Sequence, residues 1–146
     1  MRVLMIALAF VVGLVLAPTA SAQSFPPGPW RGVWTTPDHY EYQAELDFTV
    51  AMGGHVTGQI RWMLVQSPVH EQQTKIGMRG TEFVEGTFSQ DNGILNLHGV
   101  RVDAPQLIST DQYRLAVSPD GQYIVGMSAN RGEWDGRLEL TRFGPN

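Results

Sequence analysis

The chain of 146 residues contains no cysteine. This absence excludes disulfide bonds, thiolate metal sites and attachment of a lipid to a cysteine. A domain without disulfides must be stabilised by an ordinary hydrophobic core, and the chain has about the length of one domain that can bury such a core. The sequence gives no sign of a cofactor, so none is predicted.

Basic residues are also scarce, with ten Lys and Arg against fourteen Asp and Glu. Removal of the N-terminal segment described next would take Arg2 away and leave nine basic residues against the same fourteen acids. The basic residues form no cluster. Nucleic acid and anionic membrane surfaces are therefore poor partners for this chain.

Only one long hydrophobic run is present, and it lies at the N-terminus. Met1-Arg2 supplies a positive start, Val3–Leu16 is apolar, and Ala20-Ser21-Ala22 has the small-residue pattern of a cleavage site. These features predict a signal peptide over residues 1–22 that is cleaved after Ala22, and hence export to the periplasm or the extracellular space. The run is short for a membrane span and no second one follows it, so membrane insertion is not expected.

Polar and apolar residues alternate through most of the remaining chain. The segment Tyr40–Val50 places every apolar residue on one face of a strand and every charged or polar residue on the other. A helix would scatter these residues around its circumference, so a half-buried strand is predicted. The segment Asp111–Arg142 continues this pattern through three strands separated by glycine-containing turns.

About eight such strands can be counted, joined by connections short enough for antiparallel neighbours. The predicted fold is an all-β, up-and-down barrel of eight strands over residues 30–143, preceded by a proline-rich arm over residues 23–29. Several strands contain a glycine, which the bending of a sheet into a narrow barrel would require. A β-sandwich of the same strands is the alternative.

The predicted connections differ between the two ends of the barrel. One end has only tight turns, whereas the other has the long loops Gln66–Gly80 and Asp103–Thr110. Inward aromatic residues concentrate near the long loops, which suits a pocket for a largely apolar small molecule. The predicted ligand-binding residues are Tyr40, Tyr42, Trp62, Tyr113 and Trp134. A barrel filled by its own side chains is the competing interpretation.

The tripeptide Gly32-Val33-Trp34 on the first strand, with Arg142 ending the last, resembles the sparse signature of the calycin superfamily. In lipocalins a basic residue near the end of the chain packs over the tryptophan of a G-x-W motif. The short strands and tight hairpins are also similar to avidin-like barrels. The resemblance implies a binding barrel with its ligand at the open end, and a structural role for Trp34 and Arg142 in closing the barrel.

Two further functions stay open at this point, whereas a metal site is not predicted. Asp38 and His39 are adjacent at the predicted open end and are the only candidate for acid–base catalysis, although no third residue is placed to orient them. The four histidines are scattered without ligand spacing, so no metal site is predicted. The loop Gln66–Gly80 is a candidate contact surface for a protein partner, through which the barrel would act as an interaction or inhibitor module.

Overall fold

The computed structural model describes residues 25, 26 and 28–144. The predicted signal peptide and its cleavage site lie outside the described residues. The chain forms eight strands and one 3₁₀ helix: β1 (Trp30–Thr35), β2 (Glu41–Val50), β3 (His55–Gln66), the 3₁₀ helix (His70–Lys75), β4 (Arg79–Ser89), β5 (Ile94–Val102), β6 (Gln112–Val117), β7 (Tyr123–Asn130) and β8 (Glu133–Arg142). Within the described part of the chain, no helix is long and apolar enough to cross a membrane.

The strands form a closed antiparallel barrel in sequence order, because β1 pairs with β2 on one side and with β8 on the other. The prediction of an eight-stranded up-and-down barrel is confirmed, and the β-sandwich alternative is wrong. Closure leaves no strand edge without a partner, so the backbone donors and acceptors of all eight strands are used within one sheet.

Alternation of side chains defines the interior of the barrel. Along β2, Tyr42, Ala44 and Leu46 are buried whereas Gln43 and Asp47 are exposed. The same alternation runs along β6 and β8. Because consecutive side chains of a strand point to opposite faces, most apolar side chains of these three strands enter the interior and most charged ones meet solvent.

Glycines allow neighbouring strands to approach closely where the sheet bends. A Cβ atom on Gly32 would collide with the carbonyl oxygen of Glu139, and one on Gly86 would collide with the carbonyl oxygen of Asn96. Any larger residue at these positions would therefore push the adjacent strand away. The expected link between strand glycines and barrel curvature has this physical basis.

The half of the barrel nearest the tight turns is a packed core. Its fully buried members come from every side of the barrel and include Leu46, Val56, Ile60, Leu95 and Ile124.

Two described residues of the N-terminal arm, Phe25 and Pro26, cover this packed end. The ring of Phe25 lies 5.1 Å from Phe88, 6.1 Å from Phe48 and 6.3 Å from Trp30, measured between ring centroids. Pro26 is buried. The arm therefore supplies the apolar surface that covers this end of the core.

Candidate ligand-binding cavity

The other half of the barrel is hollow. A cavity of about 750 Å³ opens between the β1–β2, β3–β4, β5–β6 and β7–β8 connections. We call it the mouth cavity. Its lining combines five aromatic side chains, namely Trp34, Tyr40, Tyr42, Trp62 and Tyr113, with five carboxyl side chains, namely Asp38, Glu82, Asp111, Glu133 and Asp135. The barrel is thus filled at one end and open at the other.

Three neighbouring strands build an aromatic wall from Trp34, Tyr42 and Trp62. Trp34 of β1 lies opposite Tyr42 of β2, and Trp62 of β3 lies opposite Ala44 of β2. The three rings pack edge to face, with centroid separations of 5.6 to 6.4 Å. This is the favoured arrangement of aromatic pairs, so each ring restricts the rotation of the other two.

Glu82 lies in the wall of the mouth cavity with only 1% of its surface exposed. Its Oε2 accepts hydrogen bonds from Tyr113 Oη at 2.5 Å and from Trp62 Nε1 at 3.2 Å. Its Oε1 accepts a hydrogen bond from the backbone N–H of Asp111 at 2.8 Å. Burial raises the pKa of Glu82 to about 7, against the lowering effect of these three donors.

Asp111 forms a second polar group on the wall. Its carboxylate accepts hydrogen bonds from Asn130 Nδ2 at 2.9 Å and from Ser128 Oγ at 3.2 Å. Ser128 Oγ in turn accepts a hydrogen bond from Trp34 Nε1 at 2.8 Å. Burial raises the pKa of the Asp111 carboxyl. The network connects this carboxyl to the aromatic wall and fixes the orientation of the Trp34 indole.

Tyr42 connects the aromatic wall to the β5–β6 loop by a hydrogen bond. Its hydroxyl donates a hydrogen bond to the carbonyl oxygen of Leu107 at 2.9 Å. Burial is the main reason that the pKa of Tyr42 rises to about 12, so the hydroxyl keeps its proton at neutral pH. Leu107 and Ile108 of this loop add apolar surface to the mouth cavity.

Four of the five ligand-binding residues predicted from the sequence line the mouth cavity: Tyr40, Tyr42, Trp62 and Tyr113. The expectation that Trp134 faces the interior is wrong, because 49% of its surface is exposed and its neighbours Glu133 and Asp135 line the cavity instead. The pairing of β7 with β8 is irregular here, since Ser128 lies opposite Gly136 but Asn130 lies opposite Glu133. Such an irregularity exchanges inward and outward side chains beyond it.

The expected position of Arg142 over Trp34 is also wrong. Arg142 lies opposite Trp30 at the packed end, whereas Trp34 lies opposite Leu138 near the mouth. Trp34 instead packs over Gly136, where a Cβ atom would collide with its indole ring. Trp34 therefore belongs to the wall of the mouth cavity, and the fully buried tryptophan of the packed end is Trp30.

The catalytic and metal alternatives gain no support from the geometry. Asp38 lines the cavity and accepts a hydrogen bond from Thr36 Oγ1, whereas the exposed His39 is not part of the lining. Among the described residues, no three His, Asp or Glu side chains are arranged to hold a metal ion.

Sequence reasoning missed Glu82 and Asp111. A signal existed for Glu82, because alternation along β4 places it on the same strand face as the apolar residues Val84 and Phe88. The same signal existed for Asp111, which precedes β6 and shares the parity of its inward residues Tyr113, Leu115 and Val117. Comparison of the chain with protein-family models, curated proteins and solved structures found no match.

Proposed function

We propose that this protein is an exported small-molecule-binding barrel that holds a ligand with a large apolar or aromatic part in the mouth cavity. The observation that carries the proposal is the contrast between the two halves of one barrel. Buried side chains fill the half near the tight turns, whereas the open half leaves about 750 Å³ beside ordered aromatic rings. A cavity of this volume is typical of small-molecule sites, and here aromatic rings supply its apolar surface.

The order of the wall supports binding rather than incomplete packing. Trp34, Tyr42, Trp62 and Tyr113 each hold their polar atom in a hydrogen bond with the protein. Rings fixed in this way lose little conformational entropy when a ligand packs on them, which favours affinity.

The test combines native mass spectrometry with uptake of the neutral apolar dye N-phenyl-naphthylamine. We expect the chain purified from its own host to carry an extra mass, or the purified barrel to enhance the fluorescence of the dye. Trp62→Ala should abolish both signals, whereas Trp134→Ala should retain them because Trp134 lies outside the cavity. Circular dichroism of both variants checks the fold.

Two outcomes would contradict the proposal. The first is a wild-type barrel that carries no extra mass and takes up no dye. The second is equal dye uptake by the folded Trp62→Ala and Trp134→Ala variants, which would locate binding elsewhere on the surface.

Export rests on the N-terminal sequence pattern and has its own test. We expect the cell-envelope or culture fraction to contain a chain that begins at Gln23, as read by N-terminal sequencing. A full-length chain retained in the cytoplasm would contradict this part of the proposal.

Docking of a protein partner is a second candidate function. The loop Gln66–Gly80 exposes the apolar side chains of Val69, Ile76 and Met78 beside the mouth. Adjacent exposed apolar side chains are common at contact surfaces. Replacement of Ile76 and Met78 by Ser should abolish partner capture and leave dye uptake intact if docking is the function, and the reverse result would favour the mouth cavity.

A further inference from the structure

The ionisable side chains that line the mouth cavity are mostly acidic. Five carboxyl side chains contribute to the lining, and Arg131 is the only basic residue among the described residues that line it. Arg131 is exposed in the turn between β7 and β8. A concave surface lined mainly by one sign of charge concentrates ligands of the opposite sign. An anionic ligand such as a fatty acid would meet repulsion here.

The hydrogen bonds of four aromatic residues that line the mouth cavity independently favour a positively charged ligand. The indole N–H groups of Trp34 and Trp62 donate to Ser128 and Glu82, and the hydroxyl groups of Tyr42 and Tyr113 donate to Leu107 and Glu82.

These four rings therefore have no hydrogen-bond donor left for a ligand. What they offer is ring surface, whose π-electrons attract cations. Asp111 adds carboxyl oxygens, which accept hydrogen bonds, and the buried Glu82 beside it adds negative charge. A ligand that complements these rings and carboxyl groups supplies donors and positive charge.

We propose that the mouth cavity binds an organic cation, namely a protonated amine attached to an apolar body of about the size of a fused aromatic ring. This inference rests on the proposed function, because it assigns the ligand class of the same cavity. The ammonium group contacts Asp111, and the negative charge of the buried Glu82 directly behind it attracts the group without contact. The hydrogen bond from Asp111 N to Glu82 Oε1 holds the two residues together. The apolar body packs on Trp34, Tyr42 and Trp62.

The test compares three probes that share one ring system and differ in charge: naphthylmethylamine, naphthylmethanol and naphthoate. Isothermal titration at about pH 8, where Glu82 with a pKa of about 7 is ionised, measures each affinity. We expect the amine to bind on the order of tenfold more tightly than the alcohol, and the naphthoate to bind least.

Two variants locate the effect. Glu82→Gln should remove most of the preference for the amine over the alcohol, and Glu85→Gln should keep it. Glu85 is the matched control because it lies on the same strand but on the outer face, paired with His98. If Glu82→Gln does not fold, the double change Glu133→Gln with Asp135→Asn at the exposed rim replaces it, and the amine preference should then fall.

The outcomes separate this inference from the proposed function. If the neutral dye binds but the amine binds no more tightly than the alcohol, the cation inference is overturned and the binding barrel stands. The same conclusion follows if both Glu82→Gln and the rim variant fold and keep the full amine preference. If neither the dye nor any naphthalene probe binds, the proposed function itself fails.

Discussion

The buried carboxyl of Glu82 should make the stability of this barrel depend on pH in an unusual direction. Its pKa is about 7 in the folded protein against an ordinary value of 4.5. Between these two values the folded state binds more protons than the unfolded state, so stability falls as pH rises. The contribution is fully present below about pH 4.5 and is lost as pH rises through about 7. At 1.36 kcal/mol per pKa unit, the loss is at most about 3 kcal/mol.

Urea denaturation followed by tryptophan fluorescence between about pH 5 and pH 8 measures this effect. We expect the free energy of unfolding of the wild type to fall over this range, and that of Glu82→Gln to fall less. In Glu82→Gln the amide NH2 group replaces an oxygen that accepts a hydrogen bond, which costs about 1 to 3 kcal/mol of stability. This cost is the same at every pH and does not alter the slope of stability against pH.

Asp111, whose pKa is also raised, keeps its own contribution in the Glu82→Gln variant. The control Glu85→Gln should retain the wild-type slope, because Glu85 is on the outer face of the same strand. Parallel pH profiles for the wild type and Glu82→Gln would refute the reasoning.

Three further changes test other parts of the structure by the same denaturation assay. Phe25→Ala should cost about 2 kcal/mol, since its ring covers the packed end against Phe88, and an unchanged midpoint would show that the arm is dispensable. Gly86→Ala should cost about 2 kcal/mol or more, because its Cβ would collide with the Asn96 carbonyl oxygen, and a neutral effect would contradict that close approach. Ser128→Ala should cost about 1 to 3 kcal/mol and alter the Trp34 environment in near-ultraviolet circular dichroism, because it leaves the indole N–H without its acceptor, and an unchanged spectrum would count against this contact.

Local alternation was enough to predict the strands and most of their inward residues. Tyr42, Trp62 and Tyr113 could be assigned to the interior because side-chain direction in a strand depends only on position along it. The contrast between tight turns and long loops likewise predicted which end would be open. The same alternation, continued from Phe88 and Val84 to the next position on that face, would have assigned Glu82 to the interior as well.

Periodicity failed where the strand itself is irregular. Trp134 shares its parity with Leu138 and Leu140, yet the irregular pairing between β7 and β8 turns it outward. A sequence pattern carries no record of such an irregularity, because one extra residue changes the facing of every side chain beyond it without changing the residues. The same limit applies to the strand register that separates Arg142 from Trp34.

The sequence by itself determined the all-β class, the succession of antiparallel strands and the aromatic character of the open end, since each depends on residue order over short distances. Only the tertiary structure decided which polar groups meet there. Glu82 joins Trp62 and Tyr113, which lie 20 and 31 residues away along the chain. Their contact depends on register and barrel closure, which arise from the packing of all eight strands together. The same long-range packing buries the carboxyl group of Glu82 and thereby raises its pKa.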